Sequence, residues 1–270
     1  MRLTDVRWTG SRPTFPLFRA DASGDFDGEV ELRVTTRSDP VRYRTYLAFY
    51  RLAISLGSRL VPRTEVQAMP LRELLAALRK DPVGLGLLRD EMAVLNDGTV
   101  TVLVSEAVPG GHEVDFNGAE ARTWRSWAEA HQTVPRDRRA LVSGYVETLV
   151  LDYLAANTRR NLVTVDVEAA ASSIHLVENG GAFPEKLDLS TLDLVLGELR
   201  RISRFPRRLI TKLRALEAPV AEAALHGGSF VDWVVASRPL AEMLERRGVL
   251  LSLIDARAAE LGEPALLALP

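Results

Sequence analysis

Apolar residues along this chain fall into two registers, one alternating as in strands and one recurring every three or four positions as in helices. Val30-Glu31-Leu32-Arg33-Val34 alternates apolar and polar and predicts a half-buried strand. Tyr43, Leu47, Tyr50 and Ile54 lie at helical spacing and predict a helix over 43–56 that Gly57 stops. A second helix fits 71–80, between Pro70 and Pro82. Residues 91–95 and 99–104 are apolar runs flanking Asn96-Asp97-Gly98, whose tolerance of positive φ predicts a hairpin. Ala107-Val108-Pro109-Gly110-Gly111 then breaks the pattern and reads as a hinge.

Beyond the hinge the pattern turns helical, beginning with a helix over 117–131. Over 138–157, Leu141, Tyr145, Leu149 and Leu154 form a stripe that Val142, Val146, Val150 and Tyr153 broaden, as in a helix buried on most of its surface. Residues 162–165 and 174–177 read as two short strands, and helices follow over 191–204, 206–226 and 238–262. Residues 1–28, rich in Pro, Gly, Ser and Asp, read as an irregular lead-in. The divisions expected are therefore 1–28, 29–108 and 109–270.

Composition narrows the function classes. Hydrophobic residues make up 47% and charged residues 26%, which suits a soluble chain with a full core, and the net charge of −2 gives no broad attraction to nucleic acid or an anionic membrane. No run of about eighteen uncharged apolar residues occurs, so no membrane span is expected. The first ten residues lack the apolar core of a signal peptide, and the absence of cysteine fits a reducing compartment; the expected location is the cytoplasm. The only lysines are Lys80, Lys186 and Lys212, all other basic side chains being arginine. A GC-rich, bacterial genome accounts for that bias.

The informative segment is 152–183. Within it, Asn157-Thr158-Arg159-Arg160 is followed by a predicted hairpin and then by Glu178-Asn179-Gly180-Gly181-Ala182-Phe183. This order resembles the atypical kinases related to the Golgi casein (secretory-pathway) kinases and the phosphatidylinositol 4-kinases. Their pattern is a helix ending in Asn-x-Asp-Arg, a loop, a hairpin, and Asp-Asn-Gly with an aromatic shortly after. The stretch Tyr43 to Leu52, with Leu56-Gly57 and Leu60-Val61-Pro62-Arg63-Thr64 behind it, resembles the helix of their N-terminal lobe and its exit strand. The resemblance touches 29–185. It implies an α+β, bilobal protein-kinase-like fold, with a small sheet and helices over 29–108 and a mainly helical lobe over 109–270.

Phosphoryl transfer needs a cation on the nucleotide phosphates, a carboxylate to deprotonate the acceptor, and acidic or amide ligands for Mg²⁺. No lysine precedes Lys80, so the lysine of the N-terminal lobe is absent, and Arg33 is the nearest stand-in; an exposed strand arginine is the competing explanation. The glutamate of the N-lobe helix falls on Tyr46, which is un-ionised at neutral pH. The catalytic aspartate falls on Arg159, a guanidinium that cannot accept a proton and that equally suits the C-terminal end of a helix dipole. Asn161 matches the Mg²⁺-binding asparagine only if the intervening loop is shortened, and a plain loop asparagine explains it as well. The metal-binding aspartate falls on Glu178, one methylene longer, either a residual metal ligand or a surface turn residue. Gly24 and Gly28 could turn over a nucleotide but equally make an ordinary loop.

Other chemistry is scarce. His112, His131, His175 and His226 show no metal-ligand spacing, and hydrolase, zinc-protease and Walker motifs are missing. Glu147 and Asp152, five apart on the long helix, do not share a face, and Trp124 and Trp127 read as a packing stripe. Arg200, Arg201, Arg204, Arg207 and Arg208 form either a surface for an acidic partner or a solvated face. The resemblance with its departures implies a pseudokinase: a binding, scaffolding or regulatory module for a protein partner such as an active kinase or another enzyme. Its cofactor is either residual ATP with Mg²⁺ or none. Two alternatives stand beside it, an active nucleotide-dependent transferase with non-standard residues and a helical interaction protein of another fold.

Overall fold

In the computed structural model the described residues are 1–9, 16–108, 110–129, 132–166, 173–226 and 235–270. They fall into two compact units, one made of 1–47 and 62–107, the other of 48–61 and 108–270.

The first unit is built on β1 (Arg2–Trp8), β2 (Leu17–Ser23), β3 (Gly28–Val34), the start of α1 (Tyr43–Ser55), β4 (Thr64–Pro70), α2 (Leu71–Ala77), α3 (Pro82–Glu91) and β5 (Thr99–Glu106). The strands form one sheet in the order β1-β2-β3-β5-β4, antiparallel throughout. The irregular lead-in expected over 1–28 is thus corrected, since it supplies two strands. In β2, Phe18, Ala20 and Ala22 point inward while Arg19, Asp21 and Ser23 intervene. Two of those inward residues are alanines, whose methyl groups give a faint signal.

β5 lies between β3 and β4 and is buried on both faces. Val100, Val102 and Val104 join Phe18, Leu32 and Leu74 in one core, while Leu103 packs with Tyr46 and Val66 on the other face. Because β3 takes one edge of β5 from Val102 onward, the hairpin expected over 91–104 is cut short. Its first arm is instead the end of α3 and a single bridge, Val94 to Val100, although the turn closes with Gly98 at φ 78°. α3 starts on Asp81, whose carboxylate accepts from the Gly84 N–H at 2.9 Å and from the Trp8 N–H at 2.6 Å. The Gly24–Gly28 stretch is the β2–β3 connection. Phe26 is buried within it under the Arg63 guanidinium, 4.5 Å from the ring centroid.

The second unit contains β6 (His112–Asp115), α4 (Ala119–Ala128), α5 (Arg139–Ala155), β7 (Leu162–Asp166), β8 (Ser173–His175), α6 (Leu189–Arg201), α7 (Arg207–Ala215), α8 (Ala218–His226), α9 (Ser237–Leu261) and α10 (Glu263–Leu266). β6, β7 and β8 form a small antiparallel sheet. α5 is its axis, packed by α4, α6, α9 and β8 and buried along nearly its whole length. Each leucine so buried contributes about 1.5–3 kcal/mol. Gly144 lets the two elements approach closely: a Cβ there would lie 3.3 Å from the Ile174 side chain, which would have to give by a few tenths of an ångström. Trp124 is buried edge-on to Tyr145 at 6.4 Å, and Trp127 packs against the same core, as the stripe predicts. No helix among the described residues is long and apolar enough to cross a membrane.

Candidate functional site

The end of α5 sets the geometry of everything that follows it. A helix leaves its last four carbonyls without intrahelical partners, and here each of the four finds a donor. The Asp152 carbonyl accepts from the Asn157 N–H at 2.8 Å and the Tyr153 carbonyl from the Ala156 N–H at 3.2 Å. Arg246, only 7% exposed on α9, donates Nε and Nη2 to the Leu154 carbonyl at 3.0 and 2.7 Å. The Phe183 N–H reaches the Ala155 carbonyl at 2.7 Å. Ala156 and Phe183 both adopt positive φ, 51° and 49°, to make these bonds. That conformation is strained for side chains of L residues and persists only when the surroundings hold it.

Below this cap lies a buried polar knot. Asp152 is 3% exposed and grips Arg160 bidentately, Oδ2 to Nε at 2.6 Å and Oδ1 to Nη2 at 2.8 Å. Asn157 donates Nδ2 to the same Oδ1 at 2.9 Å. Arg160 also donates to Asn179 Oδ1 at 2.9 Å and to the Glu178 carbonyl at 3.3 Å, and its guanidinium lies 5.4 Å from the Phe49 ring centroid. Asn179 in turn donates Nδ2 to the Leu176 carbonyl at 2.8 Å. Burial pushes the Asp152 carboxyl up, against the pull of Arg160 and Asn157. The knot ties the loop after α5 to the segment after β8, and Asn157, Arg160 and Asn179 hold the two together.

The residues singled out from the sequence sit around this frame. Arg159 is exposed, between buried Asn157 and Arg160, and makes no hydrogen bond or ion pair with any described residue. It does not cap α5; the donors named above do. Asn161 and Glu178 are also exposed, Asn161 giving its carbonyl to the Phe116 N–H at 2.8 Å. Among the described residues no group of three or more His, Cys, Asp or Glu is placed to hold a metal ion. His112 and His175 lie on β6 and β8, whereas His131, the His226 side chain and Pro109 of the expected hinge lie outside the described residues.

In the first unit the structure does bring Arg33 and Tyr46 together, with the guanidinium carbon 5.0 Å from the ring centroid. The expectation of an exposed strand arginine is corrected: Arg33 is 3% exposed and pairs with Glu31 of its own strand at 3.2 Å. Arg19 and Arg7 extend that pairing outward across the sheet through Glu31 and Glu29. Glu147 and Asp152 face different partners, Glu147 accepting from Ser58 Oγ at 2.7 Å. Burial raises the Glu147 carboxyl. Of the arginines over 200–208, Arg201 pairs with Glu129 at 2.8 Å and Arg204 donates to the Trp127 carbonyl at 2.9 Å. Much of that run is therefore engaged within its own unit.

Sequence reasoning weighed Asp152 only as a pair with Glu147 and gave no role to Arg160 or Asn179. The signal was available: a lone aspartate inside an otherwise apolar, buried helix must find a cation, since an unpaired buried charge costs several kcal/mol, about 3–5 when one partner of a pair is removed.

No protein-family model and no curated protein matches the sequence. Solved structures do match. The Golgi casein kinase with Mn/ADP bound superposes with a TM-score of 0.69 at 16% identity, covering 98% of this chain and 75% of that one. A second crystal structure of the Golgi casein kinase gives 0.68 at 17%, with coverage of 98% and 75%. Hydra Fam20 with sugar gives 0.66 at 15%, with coverage of 97% and 87%. At such identities the likeness speaks of fold alone: this chain has the mixed α+β, atypical-kinase-like fold of the Golgi casein kinase and Fam20 proteins.

Proposed function

We propose that this chain is a pseudokinase, a kinase-like protein without ordinary phosphoryl-transfer chemistry that acts as a binding, scaffolding or regulatory module. Its partner is a protein, an active kinase or another enzyme. The observation that carries this reading is the contrast within Asn157-Thr158-Arg159-Arg160. The two residues that build the loop are buried and hydrogen-bonded, while the position that the resemblance gives to the catalytic aspartate presents an exposed guanidinium. A guanidinium cannot act as the base. The nearby carboxylate, Asp152, has both oxygens occupied by Arg160 and Asn157.

The first unit supports the same reading. Arg33, the nearest cation to the missing lysine, is buried against Glu31, and Tyr46 replaces the helix carboxylate. Loss of a general base alone costs about 10²–10⁴-fold in rate. Losing the phosphate cation and the helix carboxylate as well leaves little transfer. Among the described residues no group of three or more His, Cys, Asp or Glu is placed to hold a metal ion.

The Golgi casein kinase neighbour carries Mn and ADP, so the test uses ATP with Mg²⁺ or Mn²⁺. Incubation with labelled ATP and a generic acceptor should give no transfer. Because Glu178 and Asn161 are both solvent-exposed, label transfer that disappears in Glu178→Ala would establish the active-transferase reading instead. A rise in melting temperature with ATP and metal, without transfer, would mark a pseudokinase that retains its nucleotide.

A further inference from the structure

A cavity of about 350 Å³ lies wholly within the second unit, beside the loop that carries residues 157–161. Phe116, Tyr145 and Leu149 form apolar parts of its lining, and Leu194 and Val195 of α6 form another. Leu194 is 70% exposed, an apolar side chain on the lining of a concave site with nothing over it among the described residues. The charged groups in the lining are matched in pairs: Asp152 with Arg160 at 2.6 Å, and Arg125 with Glu198 at 2.7 Å. A free phosphate or carboxylate therefore finds no uncompensated cation there.

The Arg125–Glu198 pair still has hydrogen-bonding capacity. Arg125 directs Nε–H to the Tyr145 hydroxyl at 3.1 Å, and its terminal nitrogens donate to no described residue. Glu198 Oε1 accepts no hydrogen bond from a described residue, its neighbour Arg201 Nη1 standing 3.9 Å away. Donor and acceptor thus sit on adjoining side chains, both about a quarter exposed, at 24% and 26%. A carboxamide offers a carbonyl to the first and an N–H to the second in one plane.

We infer that this cavity binds a small uncharged molecule with a carboxamide or similar donor–acceptor head and an apolar body. The head pairs with Arg125 and Glu198, and the body covers Leu194 and Val195. This goes beyond the pseudokinase reading, because such a ligand needs neither nucleotide nor metal, and the two can fail separately.

The isosteric trio of benzamide, benzoate and benzamidine tests it, with ligand-observed NMR on the full chain near pH 7.5. A probe of this size should bind with Kd on the order of 1 mM. Benzamide should bind about tenfold or more tighter than either charged isostere, since each brings an uncompensated charge into the site. In Glu198→Gln, Arg125 loses its counter-ion and the order should invert, with benzoate binding tighter than benzamide. Leu194→Asp, at an exposed position that does not bear on folding, should abolish benzamide binding while ATP responses stay as in wild type. Equal binding of all three, no benzamide binding, or unchanged affinity in Leu194→Asp would overturn the inference.

Discussion

The Arg33 guanidinium lies over the Tyr46 ring at 5.0 Å, bringing together the nearest stand-in for the absent lysine and the residue expected at the position of the helix glutamate. A carboxylate pairs with the same cation from its own strand, Glu31, two residues away on β3. An aromatic ring on α1 and a carboxylate on β3 thus both bear on one buried charge.

Removing that carboxylate should be more damaging than removing the ring. Glu31→Ala is expected to destabilise by about 2 kcal/mol, because it removes a charge-assisted hydrogen bond from the buried Arg33. Tyr46→Leu removes a cation–π contact and should cost about 1 kcal/mol. Urea denaturation of the two variants side by side checks the order.

The loop after α5 should respond oppositely at adjacent positions. Arg159→Asp, exposed and unbonded, is expected to change stability by less than about 0.5 kcal/mol. Arg160→Leu strands Asp152 in the interior and should cost about 3–5 kcal/mol. Equal losses in the two variants, measured by the same denaturation, would show that the loop is not built as described.

Gly181 has an ordinary backbone but no room. A Cβ there would stand 2.5 Å from Asn157 Oδ1, whose side chain is held by Asp152. Gly181→Ala should therefore destabilise by about 1–3 kcal/mol through overpacking. Double substitution with Asn157→Ala should recover part of that loss, which a thermal melt can read.

Acid should weaken the start of α6. Asp188 caps that helix, accepting from the Thr191 N–H at 3.1 Å, the Thr191 hydroxyl at 2.7 Å and the Ser190 hydroxyl at 2.7 Å, which hold its carboxyl down at about 2. A depressed carboxylate stabilises fully above its unfolded value, near 3.9, and loses that contribution as pH falls through the folded value. The melting difference between wild type and Asp188→Ala should be constant from pH 5 upward and shrink between about pH 4 and pH 2. NMR titration of the Asp188 carboxyl checks the same number directly.

Long apolar stripes were legible from the sequence because burial repeats along them: α5 and the β7–β8 pair fall where their patterns put them. β1 was illegible because Val6 alone of its seven residues is buried. The hairpin expected over 91–104 is cut short for a reason no local pattern carries, namely that β3 takes one edge of β5 from Val102 onward. The candidate site divided in the same way. Positions 159, 161 and 178 were singled out by motif order, and all three are exposed. The knot of Asp152, Arg160 and Asn179 was not found, since its members come together only when two loops close on each other. Arg33 was misjudged because strand alternation tells which face a residue takes, not how well that face is covered.

The four donors that close the C-terminal end of α5 come from its own next turn, from α9 and from the segment after β8. None of them is the side chain at position 159. The closure of the helix end therefore makes no demand on the side chain of that residue. Architecture of this kind can outlive a reaction, since whatever occupies position 159 is free to drift while the scaffold around it is kept.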